Sequence, residues 1–174
     1  MGKLFYIMGK SASGKDTIYQ RLLRNPEFSL ERLVIYTTRP IRDGELDGRE
    51  YHFVTEEDFQ KLKAEGKIIE DRGYETVYGL WRYFTADNMN LEEKSYLGIG
   101  TLESYEKLKA YYGEEKIRPI YIEVEDGERL KRAIAREETQ EAPKYEEMCR
   151  RFLADAQDFS EEKIRQAGIS HRFS

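Results

Sequence analysis

The residues with the clearest chemical potential are Gly9, Lys10, Ser11, Ala12, Ser13, Gly14, Lys15, Asp16 and Thr17. Two glycines separated by four residues and followed at once by lysine fit the spacing G-x-x-x-x-G-K-[ST], a loop that cradles nucleotide phosphates. Glycine lets the backbone turn so that successive N–H groups point at one anion. Lys15 can then reach the terminal phosphates as a point charge. Asp16 departs from the pattern, since it stands where a hydroxyl normally meets Mg²⁺, and Thr17 follows it. Mg²⁺ takes one or two carboxylates together with phosphate oxygens and water, so Asp16 is the candidate metal ligand. The competing reading of Asp16 is an ordinary first-turn acid favoured by the helix dipole.

Such a loop needs a strand before it and a helix after it. Lys3 to Met8 is a short continuous apolar run after its first residue, and Ile18, Leu22 and Leu23 recur at helical spacing to about Arg24, before Pro26. The helix N-terminus adds free N–H groups and a positive dipole end at the anion.

The second stretch with chemical potential runs from Thr37 to Phe53 and carries Arg39, Arg42, Glu45 and Tyr51. Two arginines three apart, on a loop shaped by Pro40 and Gly44, suit a second phosphate group, and the Tyr51 hydroxyl could add a neutral donor. Taken alone, a solvated loop in which these arginines pair with Asp43, Glu45 or Asp47 is the stronger reading.

The elements that position these stretches are expected as follows. Leu33 to Tyr36 and Tyr51 to Val54 read as short strands, and Thr55 with Asp58 forms a capping box for a helix ending at Gly66. Ile68 to Tyr74, then Val77 and Tyr78, read as extended. Trp81 to Thr85 and Ser95 to Ile99 flank a turn-rich segment and suggest a strand pair. Thr101 caps a helix to Tyr112, Ile117 to Val124 is a strand, and helices follow from Asp126 and again from Pro143 to about Ala167, with little room for a last strand. Alternating helices and apolar strands make an α/β protein with a parallel sheet.

Composition narrows the function classes. At 174 residues the chain is one domain, and its net charge of -5 makes a nucleic-acid polymer a poor partner. Cys149 is the only cysteine, so no internal disulfide forms, and His52 and His171 cannot build a zinc site alone. No run reaches signal-peptide or membrane-spanning length, which leads us to expect a soluble cytoplasmic protein.

Gly9 to Thr17 together with Thr37 to Phe53 resembles the guanylate kinase family, whose acceptor loop reads Thr-Thr-Arg-x-x-Arg-x-Gly-Glu-x-x-Gly-x-x-Tyr-x-Phe; the chain carries every fixed position. Gly66-Lys67-Ile68-Ile69-Glu70, Val77-Tyr78-Gly79, the pair Arg132 and Arg136, and Arg151 extend the likeness, which covers residues 1–80 well and 117–155 fairly. It implies a three-layer P-loop kinase core with a parallel sheet over residues 1–32 and 95–174. It also implies a smaller β-rich acceptor-binding lobe over 33–94 and a lid at about 137–145.

By resemblance, Arg39, Arg42, Tyr51 and Tyr78 hold the phosphate of an acceptor GMP, in the loop that also contains Glu45. Glu70 pairs with the guanine N1–H and 2-amino group. Arg132, Arg136 and Arg151 close over the phosphates of ATP, and with Lys15 and Mg²⁺ they carry the transfer of its γ-phosphoryl group. Four positions depart: Ile35 and Leu80 replace hydroxyl residues near the guanine, and Gly98 and Gly100 replace aspartates. Residues 81–96 also lack the family's helix-like pattern. The alternatives are a kinase for a related acceptor such as ribose 1,5-bisphosphate, whose enzyme shares the Gly-Lys-Asp loop, and a non-catalytic module that binds phosphopeptides.

Overall fold

The N-terminal apolar run becomes β1 (Leu4–Gly9), buried along almost its whole length because both of its faces are covered. The computed structural model describes residues 1–174. Around β1 lies a five-stranded parallel sheet made with β2 (Leu30–Arg32), β7 (Ser95–Ile99), β8 (Ile117–Ile122) and β9 (Arg172–Phe173), in the order β2-β7-β1-β8-β9. On one face, α1 (Lys15–Arg24) sets Tyr19 against Ile7, Leu97 and Ile122. On the other, α3 (Leu102–Tyr112) and α6 (Glu161–Gln166) bring Tyr105, Leu108 and Ile164 onto Leu4, Tyr6 and Met8. The result is helix, sheet, helix in three layers.

A second, four-stranded sheet orders β4 (His52–Phe53), β3 (Tyr36–Thr37), β6 (Gly79–Ala86) and β5 (Ile68–Thr76) as β4-β3-β6-β5. It is covered by α2 (Glu56–Ala64), whose Phe59 meets Phe84 edge-on at 4.9 Å. The Thr55–Asp58 capping box forms as expected, with both reciprocal bonds present. Leu33 and Leu91, at the two passages between the sheets, pack in the main core. Next to the phosphate loop stands a helical hairpin of α4 (Asp126–Glu138) and α5 (Tyr145–Asp158).

Five expected elements differ. The strand at Leu33 to Tyr36 is divided: β2 ends at Arg32, and β3 begins at Tyr36 in the other sheet. Val77 and Tyr78 are the turn of the β5–β6 hairpin, with the Tyr78 N–H donating to the Thr76 hydroxyl at 3.1 Å. Residues 81–86 and 95–99 do not pair; β6 joins β3 and β5, whereas β7 inserts between β2 and β1. The final helix breaks at Phe159, which is buried against Tyr121, and α6 restarts from a Ser160 cap. A last strand, β9, does form beside β8. Apart from the hairpin turn, a non-local partner decided in each case what local periodicity could not.

The second sheet has a small core of its own. Phe84→Ala removes a fully buried ring that touches both Phe59 and Tyr36, and the expected loss is about 3–5 kcal/mol. Hydrogen exchange should show the loosening in β3, β5 and β6 while β1 and β8 keep their protection; equal loss in both sheets would contradict separate cores.

Candidate active site

The phosphate loop is built by close approach. A Cβ at Gly9 would lie 2.8 Å from the Ile122 carbonyl oxygen and 2.9 Å from the Ser13 hydroxyl, so only glycine lets β1 turn there. Ala12 and Gly14 take positive φ values of 60° and 85°, which curl the loop before α1. No side chain caps α1, and the buried Ser13 hydroxyl has no hydrogen-bond partner. Unpaired donors gathered at a helix N-terminus are a ready anion site. Lys15 Nζ lies 3.5 Å from a carboxylate oxygen of Asp16, whose side chain is exposed. The exposed Asp16 carboxylate is a hard-oxygen donor that would suit Mg²⁺ carrying most of its waters.

Two side chains absent from the expected site hold this loop from behind. Asp155 on α5 accepts the Ser11 N–H at 2.9 Å, and Arg129 on α4 donates to the Ser11 carbonyl at 3.0 Å. Arg129 is fully buried, lies 4.7 Å from the Phe152 ring, and donates to Asp126 at 2.7 Å. That bond, with Lys10 nearby, holds the Asp126 carboxyl below its usual range. Read in sequence, Arg129 is one cation among several on a charged helix; only its burial distinguishes it.

The acceptor loop is braced by a second buried arginine. The Arg39 fork meets Glu45 at 3.1 and 2.8 Å and the Pro40 carbonyl at 2.9 Å, with the ring centres of Tyr51 and Phe53 at 5.5 and 5.6 Å from its central carbon. The Arg42 N–H also donates to Glu45, at 2.8 Å, while the Arg42 side chain is exposed. Arg39 first, and then the Arg42 amide, hold the Glu45 carboxyl below the usual range. Arg39, Arg42, Glu45 and Tyr51 thus come together. They are joined by Tyr83, unexpected from sequence, whose ring meets Tyr51 at 5.6 Å. Glu70 is buried on β5, accepting from Thr85 at 3.0 Å with Arg72 3.8 Å away. Tyr78 stands apart at the exposed hairpin turn, stacked on Trp81.

The remaining arginines sit on the helical hairpin. Arg132 pairs with Glu128 at 3.0 Å and Arg151 with Glu147 at 3.1 Å, each one turn along its own helix. Arg150 first, then Arg151, pull the Glu147 carboxyl down to about 2. Arg136 and Arg151 line a cavity of about 310 Å³ together with Ser11 of the phosphate loop and Lys144.

A parallel sheet whose central strand runs into a glycine loop and a helix N-terminus defines a P-loop kinase fold. The family model described as guanylate kinase matches residues 1–163. The chain belongs to the guanylate kinase family. It is 31% identical over 157 residues to a guanylate kinase of Wolbachia pipientis, covering 90% of this chain and 75% of that protein. It is 40% identical over 101 residues to one of Schizosaccharomyces pombe, covering 58% of this chain but 44% of that protein, so the match spans less than half the length of that relative. A crystal structure of guanylate kinase from Anaplasma phagocytophilum shares the fold, with a TM-score of 0.55 at 24% identity, over 98% of this chain and 74% of that one.

Two outcomes follow from the braces. Arg129→Ala leaves a void behind Ser11 and deprives Asp155 of its cationic neighbour; we expect a loss of about 3–5 kcal/mol in denaturant unfolding, and a loss under about 1 kcal/mol would show the brace to be idle. Glu45 has a depressed folded-state pKa, so its contribution is complete above the ordinary carboxylate range and is lost as pH falls through the depressed value. Thermal melts from about pH 6 to about pH 3 should therefore fall more steeply for the wild type than for Glu45→Gln. Parallel curves would remove Glu45 from the acid response.

Proposed function

We propose that this chain transfers the γ-phosphoryl group of ATP to GMP. The observation that carries the reading is the phosphate loop: unpaired donors at Ser13 and the α1 N-terminus, with Lys15 alongside, on a chain that also holds the braced acceptor loop. A module that only binds phosphopeptides gains nothing from that cradle.

Gly9 to Thr17 receives the ATP phosphates, with Lys15 reaching toward the transferred group. Asp16 would hold Mg²⁺, which neutralises phosphate charge when bound. Arg42 and Tyr51 take the acceptor phosphate, and Tyr78, which stands apart at the exposed hairpin turn, would have to swing in to join them. Arg39 assists with the donors left over, since Glu45 and Pro40 engage three of its five N–H groups. Glu70 pairs with two adjacent N–H groups on the base, an edge that guanine has and adenine lacks. An oxygen of the acceptor phosphate attacks the γ-phosphorus, the bond from that phosphorus to the β–γ bridging oxygen breaks, and ADP leaves. The nucleophile is already ionised, so no general base is needed. Catalysis then rests on alignment and charge. Arg132 and Arg151 exchange Glu128 and Glu147 for phosphate oxygens as the hairpin closes with Arg136, excluding water.

No helix is long and apolar enough to cross a membrane. The deciding assay offers ATP with GMP, dGMP, AMP, UMP or ribose 1,5-bisphosphate to the wild type and to Lys15→Ala. GMP should be the best acceptor, and Lys15→Ala should lose on the order of a thousandfold in transfer with the fold intact. Better turnover of AMP or the sugar bisphosphate would reassign the acceptor. Transfer by Lys15→Ala within about tenfold of wild type would remove the loop from catalysis.

A further inference from the structure

The sheet that carries the phosphate loop has a second opening along the same edge. β1 and β7 run parallel with Ile7 opposite Ile99, so Gly9, where the loop starts, and Thr101, which caps α3, leave the sheet side by side. Ligands of open α/β sheets bind beyond these carboxyl ends of the strands. A cavity of about 470 Å³ lies there, and all but one of its lining residues are polar or charged. α5 joins it to the loop: Asp155 accepts the Ser11 N–H at 2.9 Å, and Asp158, about one turn further on, lines the cavity.

Glu70 and Arg72 both line this cavity. Two residues apart on β5, they lie on the same face of their strand. Thr85 donates to one oxygen of Glu70 at 3.0 Å, and the other oxygen lies 3.8 Å from the Arg72 Nε. That gap is too long for a hydrogen bond, so the two charges attract while the donors of one and the lone pairs of the other stay free. It is short enough for neighbouring atoms of one base edge to meet both. Other donors around the cavity are committed: the Thr101 and Ser104 hydroxyls bond each other at 3.0 Å, and the Gln166 amide donates to Glu162 at 3.2 Å. Lys163 lines the cavity from α6 rather than from the strand that holds Glu70.

We propose that Arg72 is a specificity-determining residue of the acceptor site: beside Glu70 it supplies the donor that reads a ring carbonyl lying next to a ring N–H. The inference rests on the reading that Glu70 holds the acceptor base. An ionised carboxylate only accepts, so Glu70 takes the N–H groups of guanine but cannot meet the carbonyl at position 6 beside them. Enclosed without a donor, that carbonyl would lose its water and gain nothing in return. A guanidinium has donors only, and that of Arg72 is the one standing next to Glu70. Donor beside acceptor on the strand then matches carbonyl beside N–H on the base.

Arg72→Ala removes the donors and leaves Glu70 in place. The readout is the affinity for GMP and for 6-thio-GMP, measured by titration calorimetry without ATP, because sulfur accepts hydrogen bonds weakly. We expect the Kd of GMP to rise on the order of tenfold, the size of one charge-assisted hydrogen bond to a partly exposed side chain. The Kd of 6-thio-GMP should rise less than about twofold, since that ligand has little at position 6 for Arg72 to hold. Equal losses for the two ligands would mean that Arg72 acts only through Glu70 or the charge of the site, and they overturn the proposal. An unchanged Kd for GMP overturns it as well. Arg72→Met keeps an apolar stem of similar length and gives the same comparison should the alanine variant fold poorly. Reading binding apart from transfer lets the two readings fail separately. GMP that binds with the expected response to Arg72 but is not phosphorylated removes the proposed reaction and keeps Arg72. GMP that is phosphorylated while its Kd ignores Arg72 does the reverse, and a wild type that does not bind GMP overturns both.

Discussion

The phosphate loop keeps its shape because the backbone of Ser11 is clamped at both its polar ends. Asp155 takes the N–H and Arg129 takes the carbonyl, and the two side chains come from the two arms of the α4–α5 hairpin. A guanidinium with no exposed surface is tolerable only when its donors are met, and Arg129 meets Ser11 and Asp126 with Phe152 against its face. Its Nε remains unpartnered, which marks the spot as held against a local cost. The clamp fixes the base of the hairpin to the loop, and further along it Arg136 and Lys144 line one cavity together with Ser11.

The acceptor loop repeats this division of labour. Arg39 is buried and braced by Glu45, and its neighbour Arg42 is held only through its backbone amide, so its guanidinium is free to meet an anion. In both places one arginine shapes the backbone and another is left exposed beside it. Without Glu45, the buried Arg39 charge would be uncompensated, a penalty that fixes the loop before any ligand arrives. Preorganisation of this kind lowers the ordering cost of binding.

Much of this was legible in residue types. The loop from Gly9 to Thr17, the strand before it, the capped helices at Thr55 and Thr101, and the arginine-bearing loop follow from local rules of turn geometry and capping. What escaped depends on contacts between distant segments. β6 and β7 have similar sequence character, yet they belong to different sheets because their partners lie elsewhere in the chain. Arg129 and Arg132 are three residues apart and equal in charge, yet one is sealed and the other is in solvent. No periodicity separates them; only the helix that packs over one face does.

The sheet also sets how the chain can vary. In parallel neighbours with register Tyr6 to Gly98, side chains on one face share a single volume, so enlarging one position empties the other. Gly98 and Gly100, read alone, look like losses of function. Beside Tyr6 they look like the space a phenol requires, and the Tyr6 hydroxyl arrives at the level of Gly100 where a shorter residue would stop.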